Sequence, residues 1–158
     1  MKDMKKKKTE CYEPTAEEKA GILRHIRYEI EKCLLVEEGI NKHAEWWVIH
    51  MVHARVLIDF FEGKITGHDD VLCMHLGFQV HPLQISDWYR HKLNKDLVHL
   101  TYARVKRTSV TQGWNISEVI QPIHERAKEF VHHIIQNPPH LSDEAELNLW
   151  MQLQRKLN

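Results

Sequence analysis

The sequence predicts an all-α protein, a four-helix bundle with an additional short C-terminal helix and a long irregular loop between helices 2 and 3. Apolar residues recur at intervals of three and four over long stretches, which is the period of an amphipathic helix. Capping-box signals precede two of these stretches. No stretch of the sequence alternates apolar and polar residues in the manner of a half-buried strand. The 158 residues are enough for one domain with its own core.

Helix one is predicted over residues 16–38. Thr15 is followed three residues later by Glu18, the spacing of a capping box that satisfies free backbone N–H groups in the first turn. The apolar stripe of this helix consists of Leu23, Ile26, Ile30, Cys33 and Leu34. Gly39 marks its end.

Helix two is predicted over residues 40–61, where apolar residues surround most of the helical wheel. This pattern indicates a central helix that packs on several sides. Arg55 and Asp59 stand four residues apart on it. Because charges on a buried helix are costly when unpaired, we expect each of them to pair with the other or with a neighbour.

The segment after Gly63 is predicted to be a long irregular connection. Residues 63–84 contain Gly67, Gly77 and Pro82 but no sustained apolar period, so they hold at most a short helix or turn. Loops of this length are uncommon in compact domains and are often functional.

Three further helix starts are predicted in the second half of the chain. Ser86 is a candidate cap for helix three, and Asn115 with Glu118 forms a second capping-box spacing for helix four. The consecutive prolines of "NPPH", residues 137–140, end helix four because they cannot continue the hydrogen-bond ladder. Ser142 is the predicted start of the terminal helix. The apolar stripe of helix three consists of Leu93, Leu97 and Leu100.

The expected domain organisation is a disordered basic tail over residues 1–13 and a single helical domain over residues 14–158. The tail contains a run of four lysines at positions 5–8, and a short run of this kind is usually solvated. Elsewhere the 22 acidic residues balance the 22 lysines and arginines, which argues against a strongly basic, generic polyanion binder.

A cytoplasmic location is expected, without a membrane span. The three cysteines are widely spaced and form no C-x-x-C pair, so neither a disulfide framework nor a zinc knuckle is indicated. The lysine-rich start is not followed by an apolar segment, and the most apolar stretch, "WWVIHMVHARVLIDFF", is interrupted by histidines and charges.

Thirteen histidines make metal binding a hypothesis to test. The candidate groups are His50 with His53, then His68, His75 and His81 near Asp69, Asp70 and Cys73, and His132 with His133. The chain has no H-E-x-x-H, and its H-A-E at His43 lacks the P-C-x-x-C of zinc deaminases. We therefore assign no metal ligand and no cofactor, and we expect most of these histidines at the surface or at its boundary. No G-x-S-x-G and no glycine-rich phosphate loop is present either.

A strip of polar residues is predicted along one side of helix three. Lys92, Lys95, His99 and Tyr102 follow one another at intervals of three or four, so two amines, an imidazole and a phenol can lie on one side of the helix. Such a strip can bind a phosphate and move a proton, which is the minimum for metal-independent RNA cleavage by the 2′-hydroxyl. A solvent-facing strip has the same spacing.

The segment "LNKDLVH", residues 93–99, resembles the R-[DN]-K-x-x-[AV]-H variant of the motif in HEPN domains, small helical bundles of bacterial defence and toxin systems. The resemblance implies a homodimer that binds RNA or nucleotide in a basic cleft, or cleaves RNA there. It implies that Asn94, Lys95 and His99 are the motif's catalytic positions, to which we add Tyr102. Leu93 stands where the motif has arginine, and an apolar side chain cannot polarise a phosphate.

We therefore expect an endoribonuclease only if another group replaces this arginine, and otherwise a domain that binds RNA without cutting it. Lys92, Lys95 and Arg104 are the expected nucleic-acid contacts. Arg126 precedes His132 by six residues, which formally satisfies a pattern of arginine, four to six residues, then histidine. A chain this rich in both residues gives such matches by chance.

Two other functions remain open. The chain is alternatively a non-catalytic homodimer that presents its surface to a protein partner, or a histidine-rich metal-binding bundle. The tryptophans at positions 46, 47, 88, 114 and 150 can in principle stack on bases. Their spacing favours core packing, with Trp114, in a turn, as the expected exception.

Overall fold

The predicted all-α architecture is confirmed in the computed structural model. The structure describes residues 12–35, 44–64, 67, 70–94, 115–138, 141 and 143–158, with the backbone alone for 44–49. Every regular element in these ranges is helical. In chain order they are α1 (Ala16–Leu34), α2 (Ala44–Glu62), a 3-10 helix (Cys73–Leu76), α3 (Asp87–Lys92), α4 (Ser117–Gln136) and α5 (Glu144–Leu157). No helix within these residues is long and apolar enough to cross a membrane.

The start of α1 is the capping box that the sequence predicts. The Thr15 hydroxyl accepts the Glu18 N–H at 3.2 Å, and the Glu18 carboxylate accepts the Thr15 N–H at 2.8 Å. The end differs, because the helix stops at Leu34 rather than at residue 38. Leu35 is already extended, with φ −101° and ψ 102°.

The long helix α2 lies beside α1 and also contacts α4 and the 3-10 helix. From residue 50 onward, where the structure describes its side chains, the buried ones belong to Met51, Ala54, Leu57, Ile58, Phe60 and Phe61. Packing on several sides agrees with the sequence pattern, but Val52 and Val56 stay 43% and 42% exposed. Asp59 finds the expected neighbour in Lys64, whose ammonium lies 4.0 Å from the carboxylate.

The centre of the protein is a cluster of aromatic rings. Phe60, Phe61, Phe78, Phe130 and Trp150 meet edge to face, with ring centroids 5.2 to 6.3 Å apart. This arrangement brings the positive edge of one ring to the negative face of the next. The rings come from α2, α4, α5 and the segment after the 3-10 helix, so the cluster joins these four segments of the chain.

Two predicted helix caps differ in the structure. Ile116 rather than Asn115 precedes the first turn of α4, and the Asn115 side-chain amide donates to the Glu118 carboxylate at 2.9 Å instead of accepting a backbone N–H. Ser142, the predicted start of the terminal helix, lies outside the described residues. Asp143 caps α5 by accepting the Glu146 N–H at 2.8 Å.

The predicted irregular connection between α2 and α3 is also present. Residues 70–86, called the connection below, contain only the single 3-10 turn, which ends at Gly77 in the left-handed region with φ 73°. Glycine favours this conformation because it has no Cβ. At its far end the connection meets Glu62, which accepts the Leu83 N–H at 2.7 Å.

Candidate functional site

The start of the HEPN-like segment lies at the end of α3. This helix is short, Asp87–Lys92, and Leu93 and Asn94 continue from it as a wider helical turn. Leu93 is 2% exposed and belongs to the hydrophobic core, whereas Asn94 is half-buried. At the position of the motif arginine the chain therefore has a side chain that packs inward.

Lys92 and Trp88 form a pair on α3. The Lys92 ammonium lies 3.9 Å from the centroid of the Trp88 ring, well within the range of a cation–π interaction. Lys92 is only 8% exposed, whereas Trp88 is 42% exposed. The amine that the sequence assigned to nucleic acid is thus largely covered, and its aromatic neighbour faces solvent.

Arg90, the arginine nearest to the motif along the chain, is bound within the protein. Its guanidinium makes two hydrogen bonds to the Glu62 carboxylate, at 2.6 and 2.7 Å. It also donates to the carbonyls of Leu83 at 2.8 Å and Ile85 at 2.9 Å. A guanidinium that already makes these four hydrogen bonds has little capacity left for a phosphate.

The described residues on either side of positions 95–114 lie at α3. Asn94 follows this helix directly, and the Asn115 N–H donates to the Tyr89 hydroxyl at 3.2 Å. Tyr89 itself is 6% exposed. The remaining candidate site residues are Lys95, His99, Tyr102 and Arg104, and they lie outside the described residues. Trp88 and Tyr89 therefore lie next to the point at which the motif begins.

Three of the described histidines make hydrogen bonds in separate places. His50 Nδ1 donates to the Cys33 carbonyl at 3.0 Å, and His53 Nδ1 donates to Glu29 at 2.7 Å. His133 Nε2 donates to the Leu76 carbonyl at 3.0 Å. His68 and Asp69 are outside the described part of the chain, and within that part no three His, Cys, Asp or Glu side chains are placed to hold a metal ion.

The alternative Arg-to-His spacing on α4 is occupied by structural contacts. The Arg126 guanidinium lies over the Phe78 ring at 4.1 Å and donates to the Gln79 carbonyl and to Glu129. Glu129 and His132 also have the E-x-x-H spacing of di-iron bundles. Because Glu129 binds Arg126 and His132 is exposed, neither pattern forms a site in the structure.

The comparisons with known proteins found no relative of this chain. No protein-family model matches the chain, no curated protein matches it, and no solved structure matches it.

Sequence reasoning missed the Trp88–Lys92 pair. Core packing was the expectation for the tryptophans, and it is correct for Trp150, which is fully buried, but wrong for Trp88. Trp114 lies outside the described residues. The signal for the pair was the four-residue spacing of an aromatic and a cation on one helix, which brings the two side chains together.

Proposed function

We propose that the chain is a HEPN-like helical domain that binds RNA without cleaving it. The observation that supports the second half of this proposal is the position of Leu93, 2% exposed and packed in the core. A transition state of RNA cleavage gathers negative charge on the phosphate, and an arginine at this place would stabilise it. Leucine gives no such stabilisation, and Arg90 is already bound to Glu62.

RNA binding is supported by the residues that follow Leu93. Lys95 and His99 match the cationic and imidazole positions of the motif, and Arg104 adds a further charge. A lysine that contacts phosphate releases a counterion, so binding of this kind depends strongly on salt. The same resemblance supports a homodimer that acts in bacterial defence, and the widely spaced cysteines favour a cytoplasmic location.

The decisive experiment is a binding and cleavage assay with labelled single-stranded RNA, in the presence of EDTA. We expect the RNA to be shifted at low salt and to remain intact. Lys95→Ala should lower the slope of log affinity against log salt by about one, because one phosphate contact is lost. Lys156→Ala, at an exposed position on α5, is the matched control and should leave the slope unchanged.

Two outcomes contradict the proposal in different ways. Absence of a shift at low salt contradicts RNA binding and leaves the non-catalytic interaction protein as the better function. Cleavage that disappears in His99→Ala contradicts the non-cleaving part alone. Light scattering of the purified protein tests the homodimer independently, and a monomer at micromolar concentration contradicts it.

A further inference from the structure

We draw no further inference here: the strongest candidate, the surface patch of the helix pair α1 and α2 at which Tyr28, Val52 and Val56 are exposed, carries none because nothing in the part of the chain that the structure describes shows what covers it.

Discussion

The pair of helices α1 and α2 and the connection, residues 70–86, are stabilised in different ways. The helix pair satisfies its own backbone hydrogen bonds and is held by apolar side chains such as Ile30 and Leu57, both fully buried. The connection has few backbone bonds of its own. Its carbonyls are instead bound by charged or polar side chains from α3 and α4.

Each of these side chains holds a different part of the connection. Arg90 donates to the carbonyls of residues 83 and 85, Arg126 to that of Gln79, and His133 to that of Leu76. A buried carbonyl without a partner is costly, so irregular backbone near a core needs donors from elsewhere. The comparison shows that polar side chains beside the core stabilise the irregular segment. The helix pair depends mainly on packing, to which His50 and His53 add one side-chain hydrogen bond each between α2 and α1.

The largest expected effect is that of Ile30→Ala in the helix pair. This change removes apolar atoms from a fully buried site and leaves a cavity, so we expect the free energy of unfolding to fall by about 3 kcal/mol. Chemical denaturation measures the loss, and hydrogen exchange should show it in α1, α2 and the connection alike. Arg24→Ala, at an exposed position of α1, is the control, with a change within about 0.5 kcal/mol. A loss confined to the connection contradicts the comparison.

Arg90→Met is expected to act on the connection first. It leaves the Glu62 carboxylate, 15% exposed, without its ion pair and removes the donors to residues 83 and 85. We expect a loss of about 2 kcal/mol, together with faster hydrogen exchange and proteolysis in residues 78–86 and unchanged exchange in α1. Adding Glu62→Gln to Arg90→Met should recover part of the loss, because the unpaired charge is removed. A double variant less stable than Arg90→Met contradicts this role of Glu62.

The two helix starts at Thr15 and Ser86 provide a smaller, matched test. Thr15 accepts a backbone N–H at the start of α1, whereas the Ser86 side chain makes no capping bond at the start of α3. We expect Thr15→Ala to cost about 1 kcal/mol and Ser86→Ala to change stability by less than about 0.5 kcal/mol. Thermal unfolding of both variants measures the difference. Equal losses of stability in the two variants would contradict the expectation that the side-chain capping bond determines the loss.

The smallest expected effect is a pH dependence at His75 in the connection. Burial, and then the charge of Lys19, lower the pKa of His75 below its ordinary value, and its Nδ1 accepts the Leu72 N–H at 3.3 Å. The neutral form of His75 therefore contributes to the stability of the folded protein. Because the folded pKa is lower than the unfolded one, this stabilisation is complete above the unfolded pKa, near pH 6.5, and is lost as the pH falls.

His75→Asn keeps an acceptor near the Nδ1 position and cannot be protonated. We therefore expect its melting temperature to fall less than that of the wild type between about pH 7.5 and pH 5.5. His91→Gln, at an exposed position of α3, serves as the control and should follow the wild type. Parallel curves for His75→Asn and the wild type contradict the role of this residue.

Helix positions and the cap at Thr15 could be predicted because they depend on neighbours in sequence. The stripe of α1 and the prolines after α4 act through local geometry, and both are confirmed. The partners of Arg90 and Arg126 could not be predicted, because Glu62 and Gln79 are 28 and 47 residues away along the chain. The burial of Leu93 agrees with its place in the predicted apolar stripe of helix three. The exposure of Trp88 depends on how the short helix α3 packs on the core, which the period alone does not determine.

The two regions also contain one buried cysteine each, Cys33 on α1 in the helix pair and Cys73 in the connection. Burial raises the pKa of Cys33 to about 12 and that of Cys73 to about 11, so neither thiol is ionised at neutral pH. A thiol reagent consequently modifies either sulfur only after the surrounding region opens. The rate at which each cysteine is modified therefore reports how often its own region opens. Mass spectrometry of the two peptides can measure these rates separately, with no cysteine added to the sequence.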